Sequence, residues 1–266
     1  MKKNKFLQNF NFKSKKVLVL GGSGLIGKRL VENYISLGAK VRILDIKNLF
    51  KKELKRNSNL TFKFLDLKKK ISKDIIEKSL IGFGCPNIFV NCSYPKSDDW
   101  EKNNYSEINF ESLKQNINCH LGSYTYFATL IAEIMRKKKV KGNIVQFSSI
   151  YGLIGQDPSL YKGTKIRENV SYAVIKGGII NLTRSMASYF GRYNIRVNTI
   201  CPGGVYDSQN SKFLKNYSKL TPLGRMANKD EIIFPVIFLS SEASSYITGT
   251  TMLADGGFTI RWKKEI

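Results

Sequence analysis

Val17-Leu-Val-Leu-Gly-Gly-Ser-Gly-Leu-Ile-Gly27 is the stretch of the sequence that decides the fold. Its four apolar residues, followed by glycines, are typical of a buried parallel strand that ends in a tight turn. From Leu25 onward the apolar residues recur at helical spacing, and Gly38 ends that helix. The glycines fit both the GxGxxG and the GxxGxxG spacing. A strand, a glycine turn and a helix N-terminus together predict a phosphate-binding turn for a dinucleotide.

Strand-like and helix-like segments alternate along the rest of the chain. Apolar runs predict further strands at 41–44, 60–65, 87–90, 142–147, 194–200 and 250–254. Helical spacing predicts helices at 47–56, 70–81, 106–137, 172–190 and 228–240. Because such alternation indicates a parallel sheet with helices on both faces, we predict an α/β fold with a doubly wound parallel sheet, the Rossmann fold. One domain would cover residues 15–266, behind a basic tail at residues 1–14 that is either loose or docked.

Two acidic residues follow the second and third predicted strands, where ligands of open α/β sheets bind. Asp45 is placed to accept hydrogen bonds from the adenosine ribose, and its carboxylate would repel a 2′-phosphate. The sequence therefore favours NAD over NADP, although Lys47 lies close by and a helix N-cap role for Asp45 stays open. Asp66, with Leu67, is predicted to meet the adenine, with an ordinary strand-end turn as the alternative.

Tyr172 and Lys176 are spaced so that both side chains project from one face of a helix. A free phenol has a pKa of about 10, and a nearby ammonium lowers that pKa because it stabilises the phenolate. Ser149 follows another strand end, and its hydroxyl can hold a substrate oxygen while the charge on that oxygen changes. These three residues predict proton exchange at a carbonyl or alcohol, coupled to hydride transfer with a nicotinamide.

A second Tyr-x-x-x-Lys, formed by Tyr161 and Lys165, competes for the same role. No helical apolar period follows Tyr161, whereas Tyr172 begins an amphipathic helix with small residues. We therefore predict that Tyr172 is the catalytic tyrosine and that Tyr161 lies in a mobile loop. Because Tyr161 is nearer to Ser149 in the sequence, the choice of Tyr172 requires an inserted loop between them.

These features, together with three further motifs, resemble the short-chain dehydrogenase/reductase family over nearly the whole chain. The motifs are Asn194-Ile-Arg-Val-Asn-Thr-Ile-Cys-Pro-Gly-Gly204, Pro222-Leu-Gly-Arg-Met226 and Ile247-Thr-Gly-Thr-Thr-Met-Leu-Ala-Asp-Gly-Gly257. The resemblance implies that Ser149 is catalytic. The family's Asn-Asn-Ala-Gly segment corresponds to Asn91-Cys-Ser-Tyr94, where only the first asparagine is kept. The predicted cofactor contacts are Gly21, Ser23, Gly24, Leu25, Ile26, Gly27, Asp45, Asp66, Leu67, Asn91, Cys92, Ser93, Tyr172 and Lys176, with Pro202, Gly203 and Val205 on the nicotinamide side.

The chain departs from the family pattern in three places. Its glycine turn is similar to that of the extended, sugar-modifying branch, and its loop 153–171 is longer than usual. The family's fourth catalytic residue, an asparagine that helps to hold a relay water, aligns with His120. Asn116 and Asn118 are expected to point elsewhere on the helix. We predict that His120 belongs to the catalytic set and can relay a proton, with a structural histidine as the alternative.

The long loop and the segment Tyr206–Thr221 are predicted to form a lid over the substrate site. The loop cations Lys162, Lys165 and Arg167 favour an anionic small-molecule substrate. The resemblance to short-chain dehydrogenases of bacterial surface-sugar and flagellin-modification pathways implies a sugar or sugar phosphate. A 3-oxoacyl-[acyl-carrier-protein] reductase and a non-catalytic NAD-binding protein stay open as alternatives. The family's interface helices imply a homodimer or homotetramer.

The net charge of the 266-residue chain is +24, and lysines cluster at 51–56, 68–70 and 136–141. We interpret these lysines as solvated helix faces, because no nucleic-acid motif accompanies them. Without a long apolar run or a signal-peptide pattern, we expect a cytoplasmic protein with no membrane and no nucleic-acid partner. Four cysteines without CxxC spacing and a single histidine predict reduced thiols and no metal site.

Overall fold

The computed structural model describes residues 5–260, with the side chains of residues 7–260. Its strands are β1 (Lys16–Leu20), β2 (Lys40–Asp45), β3 (Leu60–Phe64), β4 (Ile88–Asn91), β5 (Gly142–Phe147), β6 (Ile195–Pro202) and β7 (Thr251–Ala254). They form one sheet in the order β3-β2-β1-β4-β5-β6-β7, and all neighbouring pairs are parallel. The predicted doubly wound parallel sheet is therefore confirmed.

Two layers of helices cover the sheet, and each buries an apolar core against one face. The helices in chain order are α1 (Lys5–Gln8), α2 (Leu25–Ser36), α3 (Lys51–Arg56), α4 (Lys73–Leu80), α5 (Phe110–Asn116), α6 (Ser123–Lys137), α7 (Val170–Phe190), α8 (Ser211–Leu220) and α9 (Lys229–Ser240). Helices α2 and α9 pack together over one face, while α4, α6 and α7 cover the other. Long apolar side chains such as Leu30 and Ile131 are fully buried in these two cores, which fixes the helices on the sheet.

The order of the strands reverses next to β1, which pairs with β2 on one side and with β4 on the other. Ligands of open α/β sheets bind in the crevice at such a switch point, outside the carboxyl ends of the strands. The glycine turn after β1 and the residues after β4 therefore lie at the same crevice. This geometry puts the predicted dinucleotide turn at the same edge of the sheet as the other residues predicted at strand ends.

The prediction of one long helix at 106–137 is wrong in two respects. The helical segment begins only at Phe110, because the side chain of Asn109 caps α5 by accepting a hydrogen bond from the backbone N–H of Ser112 (2.9 Å). Between α5 and α6, residues Ile117–Gly122 form a wider, π-helical turn. Such turns insert one residue into a helix and occur often at functional sites. A period of 3.6 residues cannot reveal this insertion.

The segment predicted as a lid contains a helix that the sequence reading did not assign. The residue Asn210 caps α8 by accepting a hydrogen bond from the backbone N–H of Lys212 (2.8 Å). Tyr217 in this helix is buried and packs on Phe258, with ring centroids 5.0 Å apart. The other predicted helices and strands are present with bounds shifted by a few residues.

Part of the predicted N-terminal tail packs against the domain. Phe12 is 1% exposed, and its ring lies 5.5 Å from that of Tyr34 in an edge-to-face contact. The backbone carbonyl of Asn9 accepts a hydrogen bond from the backbone N–H of Glu242 (3.1 Å). The tail residues 1–4 and the predicted domain end at 261–266 lie outside the described residues.

The basic helix α3 buries none of its residues, so that its lysines face solvent. Over residues 5–260, the structure contains no helix with the length and apolar character that a membrane crossing requires.

Candidate active site

The turn after β1 runs close to the segment that follows β4. Gly21 has a φ of +81°, and a Cβ atom at this residue would lie 2.6 Å from the Cα of Ser93. A Cβ at Gly27 would overlap the carbonyl oxygen of Gly21, so only glycine fits either position. Gly24 precedes the first turn of α2, whose N–H groups have no side-chain cap. A tight glycine turn with uncapped helical N–H groups fits the pyrophosphate of a dinucleotide.

Ser23 and Asp45 are hydrogen-bonded beside this turn. The Asp45 carboxylate accepts hydrogen bonds from the backbone N–H groups of Ser23 (2.9 Å) and Lys47 (3.2 Å). The Ser23 hydroxyl donates to the carbonyl oxygen of Lys47 (2.6 Å). Because α3 begins only at Lys51, Asp45 is not a helix N-cap. The carboxylate is instead held at the end of β2, next to the glycine turn, where Leu25 and Ile26 begin α2.

Asp66 closes the turn that follows β3. Its side chain accepts a hydrogen bond from the backbone N–H of Lys68 (2.9 Å), which is the strand-end turn that the sequence left open as an alternative. The side chain of Leu67 is buried in the core between the sheet and α4. A contact of these two residues with adenine stays a prediction.

The residues after β4 pack against the glycine turn. Asn91 is fully buried, and its side-chain oxygen accepts a hydrogen bond from the Ser93 hydroxyl (2.8 Å). The Cys92 thiol donates to the carbonyl oxygen of Leu20 (3.3 Å), and burial raises the pKa of this thiol to about 12. The side-chain nitrogen of Asn91 has no hydrogen-bond partner among the described residues. A buried donor without a partner is rare in folded proteins, so this nitrogen is a candidate for a hydrogen bond to a bound ligand.

Ser149 follows β5 and begins a short 3₁₀ turn, Ile150–Gly152. Its side-chain oxygen accepts a hydrogen bond from the backbone N–H of Tyr151 (3.2 Å). The preceding residue, Ser148, donates its hydroxyl to the carbonyl oxygen of Lys176 (2.7 Å). This bond ties the end of β5 to α7 and brings Ser149 next to the tyrosine and lysine of that helix.

Tyr172 and Lys176 lie one turn apart near the start of α7. Asn169 caps this helix and accepts a hydrogen bond from the backbone N–H of Tyr172 (2.8 Å). The Lys176 ammonium donates to the carbonyl oxygen of Phe147 (3.0 Å) and lies 5.5 Å from the ring centroid of Tyr172. The structure therefore brings Ser149, Tyr172 and Lys176 together at the carboxyl end of the sheet.

Burial dominates the acid–base behaviour of these two side chains. It raises the pKa of Tyr172 to about 12, and the Ser149 hydroxyl acts in the opposite direction. Burial lowers the pKa of Lys176 to about 7, because the ammonium loses its water. In general, a positively charged ammonium beside a phenol lowers the pKa of that phenol, because it stabilises the phenolate.

Tyr161 occupies a different environment from Tyr172. Its hydroxyl donates to the side-chain oxygen of Gln156 (3.1 Å), and its ring lies 6.3 Å from that of Phe213 in α8. The side chain of Asn216 donates to the carbonyl oxygens of Leu160 (3.0 Å) and Lys162 (3.1 Å). These bonds attach the long loop to α8. The Lys165 side chain is exposed.

His120 lies in the wide turn between α5 and α6 and is fully buried. Its ring is 5.2 Å from that of Tyr124 and 5.3 Å from that of Tyr94. Neither ring nitrogen has a hydrogen-bond partner among the described residues. Burial first, and then the charge of Lys176, lower the pKa of His120 well below its usual value, which keeps the ring neutral. The side-chain oxygen of Asn116 accepts a hydrogen bond from the backbone N–H of Ser97 (2.9 Å).

The segment after β6 is held by β7 and α8. The backbone N–H of Gly203, after Pro202, donates to the carbonyl oxygen of Ala254 (3.0 Å). The Tyr217 hydroxyl accepts a hydrogen bond from the backbone N–H of Gly204 (2.5 Å). Val205 then forms a parallel bridge with Ala227. These contacts fix the segment at the carboxyl end of the sheet, and its role toward the nicotinamide stays a prediction.

The sequence reading missed the aromatic side chains that surround the catalytic candidates. Tyr94 and Trp100 lie 5.9 Å and 6.3 Å from the Tyr172 ring, both nearly perpendicular to it. Tyr124 is fully buried below Lys176, with its centroid 5.6 Å from the ammonium. Only Tyr94 had a signal in the sequence, because an aromatic residue stands there in place of the glycine of the family's Asn-Asn-Ala-Gly segment. No local pattern marks Trp100 or Tyr124.

A cavity of about 600 Å³ lies between residues 104–106 and the long loop, and Ser149, Tyr172 and Lys176 are not among the residues that line it. Residues 104–106 and residues 158–168 line it, and Tyr161 forms part of its wall. No group of three or more metal-ligating side chains occurs within the part of the chain that the structure describes.

The chain is similar in sequence and fold to known proteins. A family model described as enoyl-(acyl carrier protein) reductase matches residues 23–259. Post-translational flagellin modification protein A of Campylobacter coli is 31% identical over 258 residues, which cover 92% of this chain and 98% of that protein. L-rhamnose-1-dehydrogenase of Scheffersomyces stipitis is 29% identical, over 92% of this chain and 96% of that protein. A crystal structure of a short chain dehydrogenase from Leptospira borgpetersenii with bound NAD+ is 33% identical, with a TM-score of 0.85 over 97% of each chain.

Proposed function

The chain belongs to the short-chain dehydrogenase/reductase family, and from this premise we propose that it oxidises or reduces a sugar or sugar phosphate with NAD. As a member of that family it is an NAD(P)-dependent oxidoreductase that acts on CH–OH groups. The sugar substrate and the preference for NAD are the proposal. The meeting of Ser149, Tyr172 and Lys176 at the carboxyl end of the sheet is the observation that carries the hydride-transfer chemistry on which the proposal is built.

The proposed chemistry assigns one task to each of three side chains. Tyr172 exchanges a proton with the substrate oxygen, and Ser149 donates a hydrogen bond that positions that oxygen. Lys176, in its charged form, lowers the pKa of Tyr172 and binds the nicotinamide ribose. When bound, the nicotinamide accepts or supplies the hydride. Burial of the site excludes water from these groups and strengthens each electrostatic contact.

His120 is proposed as the fourth member of this set. Its buried, unpartnered ring nitrogens lie next to Lys176, where one nitrogen can donate and the other can accept a hydrogen bond. A neutral imidazole in this position can pass a proton between the active site and an enclosed water. Because both nitrogens otherwise lack partners, a purely structural role leaves their burial uncompensated.

The preference for NAD is supported by the position of Asp45. Its carboxylate is held beside the glycine turn by two backbone N–H groups. A carboxylate there accepts hydrogen bonds from ribose hydroxyls and repels the 2′-phosphate of NADP. The remaining dinucleotide contacts are proposed for the turn, for the segment after β4 and for Pro202, Gly203 and Val205.

The substrate proposal rests on the lid and on the relatives. The cavity between residues 104–106 and 158–168 is of a size that holds a small molecule. The exposed side chains of Lys162 and Arg167 line it and favour an anionic group, although Arg167 also lies 3.6 Å from Glu107. The name of the L-rhamnose-1-dehydrogenase relative supports a sugar substrate. The name of the flagellin modification relative supports a role in bacterial surface modification.

A 3-oxoacyl-[acyl-carrier-protein] reductase is the second candidate. The matching family model is described by an enoyl rather than a 3-oxoacyl substrate, but the acyl carrier protein in that description and the basic charge of the chain favour this candidate. Asp45 argues against it, since such reductases usually prefer NADP.

We also propose that the chain forms a homodimer or homotetramer through α6 and α7. Both helices expose aromatic or branched side chains, such as Tyr126 (41% exposed), Val174 (48%) and Tyr189 (52%). Light scattering during size-exclusion chromatography tests this proposal, and a monomer at micromolar concentration would contradict it.

NAD(H)-dependent turnover of a panel of phosphorylated and nucleotide-linked sugars tests the proposed function. We expect turnover of at least one sugar, and a loss of about a hundredfold or more in Tyr172→Phe, because the phenol carries the proton. Tyr161→Phe is the matched control and should retain activity. Loss of turnover in Tyr161→Phe with activity kept in Tyr172→Phe would refute the assignment. Turnover of acyl-carrier thioesters alone would favour the second candidate.

A further inference from the structure

Tyr94 contacts most of the proposed catalytic side chains. It lies three residues after β4, at a position where the family pattern has a glycine. Its ring centroid is 5.9 Å from that of Tyr172, 5.3 Å from that of His120 and 5.7 Å from that of Trp100. All three contacts are edge-to-face, the favourable arrangement for aromatic pairs. A side chain at this position therefore touches two members of the catalytic set at once.

The Lys176 ammonium is surrounded by three phenol rings. Its nitrogen lies 5.6 Å from the ring centroid of Tyr94, 5.6 Å from that of Tyr124 and 5.5 Å from that of Tyr172. Each distance is within the range of a cation–π contact. An ammonium has three donors, and its hydrogen bond to the carbonyl oxygen of Phe147 uses one of them. Within residues 7–260, no carboxylate forms an ion pair with Lys176.

The three rings differ in how they are held. Tyr124 is fully buried, and its hydroxyl donates to the backbone carbonyls of Asn91 and Ser93 (both 3.0 Å). Tyr172 is fixed on α7. Tyr94 belongs to a loop and is 48% exposed, which makes it the most exposed of the three rings. Its contribution is therefore the one that a substitution can remove without opening the core.

We propose that Tyr94 is a positioning residue whose ring face keeps the Lys176 ammonium charged and close to Tyr172. This inference rests on the proposed roles of Tyr172 and Lys176 in the reaction. Tyr94 acts through these two residues and does not itself exchange a proton with the substrate. The ring face stabilises the ammonium and leaves the neutral amine unaffected, because only the cation is attracted to the π electrons.

The surroundings of Lys176 explain why a ring face matters here. The titratable groups that face Lys176 are His120 from the wide turn, Tyr124 from α6, Tyr172 from α7, Cys201 from β6 and Tyr94 from the loop after β4. Burial keeps the histidine neutral and raises the pKa of the Cys201 thiol to about 11. Until Tyr172 ionises, none of these groups carries a negative charge at neutral pH. Burial lowers the pKa of Lys176 to about 7, and Cys201 acts in the opposite direction. The neutral groups that contact the ammonium are the three rings and the carbonyl oxygen of Phe147.

Tyr94→Leu, with Tyr94→Phe as the matched control, tests the proposal. The assay is the pH dependence of kcat/KM for alcohol oxidation, which requires the Tyr172 phenolate. Without the ring face Lys176 loses its proton at lower pH, and Tyr172 then ionises at higher pH. We expect the acidic limb of the profile to shift to higher pH by about one unit in Tyr94→Leu. A shift of about this size corresponds to the loss of one desolvated cation–π contact. Tyr94→Phe keeps the ring and should leave the limb unmoved.

A second measurement gives the pKa of Lys176 directly and does not require turnover. NMR titration of protein with ¹³Cε-labelled lysine, assigned with Lys176→Met, follows the ammonium directly. We expect the pKa of Lys176 to fall in Tyr94→Leu and to stay the same in Tyr94→Phe. In Tyr94→Trp it should rise, because the indole face binds cations best. If Tyr94→Leu does not fold, the Tyr94→Trp comparison carries the test alone.

The outcomes separate this inference from the proposed function. Equal Lys176 titrations in the native protein, Tyr94→Leu and Tyr94→Trp would overturn the inference. A loss of kcat in Tyr94→Phe as large as that in Tyr94→Leu would also overturn it, because the hydroxyl would then be the active part. A shifted Lys176 titration with an unmoved rate profile would support the contact between ring and ammonium and refute the catalytic role of Lys176.

Discussion

Gly27→Ala tests whether the turn after β1 is as tightly packed as the cofactor site requires. The added Cβ would overlap the carbonyl oxygen of Gly21 and lie 2.8 Å from the Cα of Gly22. Both neighbours are backbone atoms, so no flexible side chain can move aside. The start of α2 must then separate from the turn, and overpacking of this kind costs about 1–3 kcal/mol.

The same displacement acts on the groups that we expect to bind pyrophosphate, because turn and helix N-terminus form that site together. We therefore expect the affinity for NADH to fall at least about tenfold, the equivalent of about 1.4 kcal/mol. Fluorescence titration of NADH with purified protein measures this change, and thermal melting shows whether the variant is folded.

Gly191→Ala is the matched control for this substitution. Gly191 follows α7 with φ −55° and ψ −40°, and a Cβ there would meet no atom of the described residues within 4 Å. An alanine in such a position is tolerated and reduces the entropy of the unfolded chain. We expect native NADH affinity in this variant. An unchanged affinity in Gly27→Ala, or an equal loss in Gly191→Ala, would refute the packing argument.

Three further predictions concern other parts of the molecule. Asp45→Asn keeps the acceptor for the glycine turn but removes the charge, so the preference for NAD(H) over NADP(H) in steady-state kinetics should fall; an unchanged ratio would contradict the role of Asp45. Tyr124→Phe removes the donor from two buried carbonyls, and we expect a loss of about 2 kcal/mol in the free energy of unfolding, measured by urea denaturation. The pKa of Glu231 is lowered to about 2 by its ion pair with Arg225, so its stabilising effect is complete above the ordinary carboxylate pKa and disappears as pH falls toward 2. Glu231→Gln should therefore destabilise the protein at pH 7 and have little effect near pH 2, and equal effects at both values would argue against this linkage.

The parts of the fold that could be predicted from the sequence depend on short-range patterns. The apolar run before Gly21 and the glycine spacing define a strand and a turn within a few residues. Tyr172 and Lys176 share a helix face because of their spacing alone. The strand-end positions of Asp45 and Asn91 followed from the parallel topology.

The parts that escaped prediction depend on tertiary contacts or on irregular backbone. The ring of Tyr94 meets Lys176 through a tertiary contact between the loop after β4 and α7, which no local pattern reveals. The cap at Asn109 and the wide turn at Ile117–Gly122 divide a segment whose apolar residues still recur at helical spacing. Helix α8 lies in a segment that the motifs identified only as a lid.

The wide turn allows the direction of the His120 side chain and the packing of α6 to be set separately, whereas a regular helix would couple them. In an ideal helix each residue is rotated by about 100° from the last, so the direction of every side chain fixes all the others. The inserted residue frees His120 from this constraint, while Phe127 and Ile131 remain in the core. The chemistry of residues 117–122 can therefore change during evolution without disturbing the packing of α6. We expect a single-residue deletion within the turn to rotate His120 away from Lys176. Such a deletion should lower the activity and leave the fold intact, whereas a core mutation lowers the stability first.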